Sequence, residues 1–103
     1  MEMLQIYKYQ ITPGCQKEAR QWLIKYAKYH NENFKECKVE LLWQGVGADV
    51  GSFLLIHRYE SQEAYGRSGS HPAQPGFTEL WSERKGEWFA HSAGAIYHPI
   101  DLG

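Results

Sequence analysis

Between Gln16 and about Asn33 the apolar residues Ala19, Trp22, Leu23, Tyr26 and Ala27 fall at i, i+3, i+4, i+7 and i+8. That is the repeat of a helix with one buried stripe. Lys17, Arg20, Lys25 and Lys28 lie mostly off the stripe and give the helix a solvated basic face. Such a stripe has to be covered, and runs of period two on both sides of it supply the cover. Leu4 to Ile11 alternates, with Leu4 and Ile6 on one side and Gln5, Tyr7, Tyr9 and Ile11 on the other, until Thr12, Pro13 and Gly14 stop it. Lys38 to Gln44 and Phe53 to Tyr59 have strand chemistry too, the second rich in aromatic and aliphatic residues.

The segment GVGADVG between those two strands resembles a phosphate loop, but a strand follows it rather than a helix. The helix N-terminal amides that hold a phosphate are therefore missing, and a hairpin turn is expected. Ser61 can cap a further helix with Glu63 at its positive end, and this helix should stop near Ser70 because His71 precedes Pro72. A second helical piece is expected through Phe77, Leu80, Trp81 and Arg84, ending at Gly86, and Trp88 to His98 forms the last strand. The order strand, helix, strand, strand, helix, strand is the split βαβ, ferredoxin-like α+β arrangement. A four-stranded antiparallel sheet there carries both helices on one face.

A chain of 103 residues with 43% hydrophobic and 22% charged residues reads as one soluble domain spanning 1–103. Eleven basic and twelve acidic residues, without a basic cluster, make nucleic acid an unexpected partner. The start MEMLQIYKYQ lacks a secretory pattern, and no run approaches the ~20 apolar residues that span a bilayer, so a cytoplasmic location without membrane contact is expected. Cys15 and Cys37 flank a helix of about 17 residues, which holds them roughly 25 Å apart; both read as free thiols.

In the third strand Leu54 and Ile56 form a purely aliphatic row suited to lie under the helices. Phe53, Leu55, His57 and Tyr59 form the other row. The first strand divides the same way. No further element remains to cover the aromatic face, and a large apolar patch in water is unusual for a monomer. A homodimer, sheet face against sheet face, is expected.

The element order, the ending TPG of strand one and the passage YESQEAYGRSGSHPAQPGF resemble the dimeric α+β barrel superfamily. The likeness is to its antibiotic-biosynthesis monooxygenase branch in particular. HPAQPGF is also similar to the HPAH motif of stress-responsive barrels and a related polyketide cyclase, with Gln74 where their second, catalytic histidine stands. YES after strand three is similar to the NIPSNAP branch. The resemblance implies a pocket between sheet and helices in which a proton is removed from a phenol or from an acidic carbon beside a carbonyl, without a cofactor.

Histidine can take such a proton, and tyrosine can hydrogen-bond the resulting oxyanion. The candidates are His71 as base, with His57, Tyr59 and Tyr7 lining the pocket, Phe77 beside it and Trp81 stacking on a planar substrate. His71 could equally cap a helix end, and His57 could equally be a satisfied core residue. His91 or His98, but not both, would face the pocket; His91 is the candidate. His30 reads as a buried edge residue and Trp22 as core.

The metal-ligand spacings of zinc or iron–sulfur sites are lacking, so no metal is expected. Haem-degrading barrels carry an axial histidine in a region comparable to His71, but their strand-one asparagine is replaced here by residues such as Gln5 and Tyr7. Three readings follow: a cofactor-independent monooxygenase or cyclase acting on an aromatic or polyketide-like molecule, a ligand-binding or assembly module without chemistry, and a haem binder.

Overall fold

The computed structural model describes residues 2–68 and 74–103. Its elements are β1 (Met3–Ile11), α1 (Gln16–Asn33), β2 (Cys37–Trp43), β3 (Phe53–Tyr59), α2 (Gln62–Arg67), α3 (Phe77–Ser82) and β4 (Phe89–Tyr97), with a 3-10 turn at Gly86–Trp88 before the last strand. The four strands form one antiparallel sheet in the order β2-β3-β1-β4. This is the ferredoxin-like architecture that the order of periodicities predicts.

Local chemistry accounts for each boundary. Gly14, at φ 88, turns the chain out of β1, and the Thr12 amide and hydroxyl donate to the carbonyls of Trp88 (2.8 Å) and Glu87 (2.7 Å). Gln44 and Ser52 close the β2–β3 hairpin, with the Gln44 amide donating to Ser52 at 2.9 Å and the Gly51 amide donating back to Gln44 at 2.9 Å. The glycine-rich segment is thus a hairpin loop, as expected. Ser61 caps α2, its hydroxyl accepting from the Ala64 amide at 3.1 Å. At the outer edge of the sheet the Asn31 side chain donates to the Val39 carbonyl (2.9 Å) and accepts from the Val39 amide (2.7 Å). Cys15 and Cys37 are free.

The helix stripe buries Ala19, Trp22, Leu23, Ala27 and His30 against the sheet. The row that meets it is the aromatic one. Met3, Val39, Phe53, Leu55 and Tyr59 form the core with α1, and Tyr7 and Tyr9 pack on its margin. This inverts the expectation that Leu54 and Ile56 lie beneath the helices. The reason is charge: Lys8 shares its row with Leu4 and Ile6, and Arg58 shares its row with Leu54 and Ile56. A face carrying full charges stays in water, where Arg58 reaches Glu2 (3.2 Å) and Glu40 (3.4 Å) and Lys8 pairs with Asp49.

Two further boundaries differ from expectation. Helix α3 ends at Ser82, so Arg84 lies beyond it and places its guanidinium 4.4 Å from the Phe89 ring centroid and 5.3 Å from that of Trp81. Register shifts between Gln10 and Ile11, with Ile11 opposite Phe89 and Gln10 opposite His91. That bulge puts Phe89 on the helix side and His91 on the open side.

Candidate active site beneath the helices

Three pairs of residues converge under α1, each at the spacing that points two side chains the same way. Gln5 and Tyr7 are two apart on β1, His57 and Tyr59 two apart on β3, and Tyr26 and His30 one turn apart on α1. Together they line a cavity of about 140 Å³, which Ser68, at the end of α2, and Phe77, at the start of α3, close on one side. Gln5 and His57 are cross-strand partners, as are Tyr7 and Leu55.

The centre of the cluster is His57, only 2% exposed. Its Nε2 lies 2.9 Å from the Tyr26 hydroxyl. The His30 ring stands edge-on to it at 5.5 Å and the Tyr7 ring at 5.6 Å. Gln5 donates from Nε2 to the Tyr7 hydroxyl at 2.7 Å, which fixes the far end of that side chain.

Every phenol in the cluster is held neutral. Burial pushes the Tyr26 hydroxyl far above its ordinary value, and the neighbouring Tyr9, Tyr59 and Tyr7 add to this. Burial does the same to Tyr59, with Cys37 adding and a hydrogen bond to Ser68 opposing. Tyr7 is raised by burial and by Tyr65, against the pull of its bond to Gln5. Among the described residues no Asp, Glu, Lys or Arg lines the cavity. The site therefore offers neutral hydroxyl and amide groups around an imidazole, a set suited to hydrogen-bonding a planar oxygenated molecule.

Of the residues singled out from sequence, Tyr7, His57, Tyr59 and Phe77 meet here. Trp81 does not line the cavity: it is 50% exposed, stacked on Phe77 at 5.9 Å and 8°, and set edge-on to Trp22. Phe77 and Trp81 share one face of α3, a turn apart: Phe77, at the helix start, reaches the cavity, and Trp81 lies a turn further along against Trp22. His91 is exposed on the opposite face of the sheet, carried there by the bulge at Gln10. His71 lies outside the described residues. Sequence reasoning missed Gln5, Tyr26, His30 and Ser68 as lining residues. The signal for two of them was present, since Tyr26 and His30 continue the stripe of Trp22 by single turns.

A wider hollow of about 320 Å³ lies between α1 and α3, bordered by Lys25, Lys28, Glu79 and Glu83. Lys25 and Glu83 neutralise each other at 2.6 Å, and among the described residues no histidine lines this hollow. Among the described residues no three His, Cys, Asp or Glu side chains are grouped to hold a metal ion, and no helix is long and apolar enough to cross a membrane.

No protein-family model and no functionally curated protein matches the chain. Solved structures do. A NIPSNAP family protein from Agrobacterium tumefaciens superposes with a TM-score of 0.75 at 13% identity, over 99% of this chain and 96% of that one. A candidate antibiotic biosynthesis monooxygenase from Deinococcus radiodurans gives 0.69 at 16% identity, over 97% and 94%. A variant of SnoaB, a cofactor-independent oxygenase from Streptomyces nogalater, gives 0.68 at 16% identity, over 98% and 95%. The chain has the fold of these proteins. Both branches that the YES and SGSHP passages resemble are represented among these ferredoxin-like α+β structures, and the alignments run over nearly the full length on both sides.

Proposed function

We propose that this protein is a cofactor-independent enzyme, a monooxygenase or cyclase, that deprotonates an aromatic or polyketide-like small molecule in the cavity beneath α1. The observation that carries this reading is the hydrogen bond between half-buried Tyr26 and buried His57, opening onto an aromatic-lined cavity without charged groups among the described residues. Both Tyr26 and His57 line it. A substrate phenol or activated carbon passes its proton to the Tyr26 oxygen while Tyr26 hands its own to Nε2 of His57, so the imidazole acts as base through one hydroxyl. Tyr7 and Tyr59, held neutral, donate to the developing oxyanion in a site where little water weakens those bonds.

In the oxygenase case the electron-rich carbon of a CH₂ group then takes up O₂ to form a hydroperoxide, which loses water and leaves a carbonyl. In the cyclase case the same carbanion attacks a second carbonyl of the substrate. The fold shared with SnoaB favours the first case.

The working form is proposed to be a homodimer. Leu4, Ile6 and Leu54, half-buried, and Ile56, already 8% exposed, form an apolar strip on the outer sheet face, and a second copy would cover what remains in contact with water. This replaces the expected aromatic contact surface with an aliphatic one.

Oxygen uptake with a panel of one-ring phenols and aryl ketones that carry an activated CH₂ group tests the reading. His57→Gln and Tyr26→Phe should each lower kcat by a factor of about 100 or more. His71→Ala separates the two histidines: if it abolishes uptake while His57→Gln leaves it intact, the base is His71 and the Tyr26–His57 relay is wrong.

A further inference from the structure

The cavity owes its shape to a residue that does not line it. Gly94 on β4 is the cross-strand partner of Tyr7. A Cβ built on Gly94 would sit 2.8 Å from Cε1 and 2.9 Å from Cδ1 of the Tyr7 ring, so the ring passes directly over the glycine. Backbone conformation does not demand glycine here, because Gly94 is not among the residues with positive φ. Space demands it. The same Tyr7 ring is held at its hydroxyl by Gln5 (2.7 Å), lies against Tyr9 (6.1 Å, 16°) and meets His57 edge-on (5.6 Å, 80°). A ring anchored at its tip and flanked on two sides has few places to go when its bed is raised.

We propose that Gly94 is a positioning residue that sets the cavity's width: by presenting no side chain it lets Tyr7 lie down on β4, which keeps the ring from crowding the Tyr26–His57 pair. The structure thereby assigns the size limit of the ligand to a residue on an exposed strand outside the pocket. At about 140 Å³ the cavity matches a single aromatic ring, close to the roughly 150 Å³ of an engineered cavity that takes benzene. A one-ring phenol is the natural probe. The ligand half of this inference rests on the proposed function; the Gly94–Tyr7 half does not.

The test is a double-mutant cycle of Gly94→Ala and Tyr7→Ala, read in two ways. Without ligand, the imidazole NMR signals of His57 should shift in Gly94→Ala, because the edge-on Tyr7 ring has moved. The same substitution should leave them in place when Tyr7 is already Ala. With phenol as probe, Gly94→Ala should weaken binding at least tenfold in the native background and less than twofold in the Tyr7→Ala background. Unmoved His57 signals in Gly94→Ala, or equal effects in both backgrounds, overturn the positioning role. Should Gly94→Ala fail to fold, adding Tyr7→Ala must restore folding, and failure of the double variant also overturns it. Gly66→Ala, where an added Cβ meets nothing within 4 Å, is the control. If His57 responds as expected while native protein does not bind phenol, Gly94 keeps its role and the proposed ligand class falls.

Discussion

The two faces of the sheet both carry apolar rows and meet opposite fates. The face under α1 carries Tyr7, Tyr9, Phe53, Leu55, His57 and Tyr59; the open one carries Leu4, Ile6, Leu54 and Ile56, with Lys8, Glu40 and Arg58 among them. Leu54 and Ile56 are more hydrophobic than their neighbours His57 and Tyr59, yet it is the row of His57 and Tyr59 that lies under the helix. What separates them is full charge. A tyrosine or neutral histidine can be buried with one satisfied bond, as Tyr26 and His57 are for each other, whereas a lysine or arginine buried without a partner costs far more. Full charges decide the side, and the polar atoms that can be buried become the site.

The sharpest way to break that contrast is to truncate neighbouring leucines on opposite faces. Leu55→Ala, at a residue 2% exposed, should cost about 2–5 kcal/mol through the cavity it leaves. Leu54→Ala should cost a dilute monomer under about 1 kcal/mol, while weakening self-association measured by sedimentation. Equal losses in urea unfolding would mean that the two faces are equally buried.

Alkaline pH sharpens the contrast from the covered side. Burial pushes Tyr9 up to about 12, against the pull of Arg84, and pushes the Cys37 thiol up to about 11. An acid whose folded pKa is raised adds stability that is fully present below its unfolded value and is lost as pH rises through the folded one. Stability should therefore hold until near pH 9 and fall toward pH 12 by on the order of 2 kcal/mol for each of the two groups. A denaturant midpoint unchanged between pH 8 and pH 11 would show these groups to be solvated in the folded protein.

The smallest effect belongs to the open face. Arg58→Ala removes contacts to Glu2 and Glu40 of 3.2 and 3.4 Å between groups more than a third exposed. It should change stability by no more than about 1 kcal/mol, and less in high salt. A loss beyond that in thermal melts would mean that Arg58 is enclosed, as it would be within a dimer.

The elements were readable because each rests on a short-range signal: the stripe of α1, the aromatic run of β3, Ser61 before α2. Which face of the sheet is buried was misread because Leu54 and Ile56 were weighed without Arg58, two residues further along the same row. Tyr7, His57, Tyr59 and Phe77 could be anticipated as a group, since strand alternation carries the first three to one side. Tyr26 and His30 could not be separated from core residues, because helical periodicity says that a side chain faces the sheet but not whether atoms or space lie opposite. His91 was misplaced by a one-residue bulge, which reverses a strand's parity and leaves no mark in composition.

The Asn31 amide, with one bond given to Val39 and one taken from it, does what a residue of a fifth strand would do. At the middle of β2 the two backbone groups that an incoming chain would seek are already occupied from within. An incoming strand would have to displace that carboxamide to pair at the middle of β2. Its removal would return both Val39 groups to solvent.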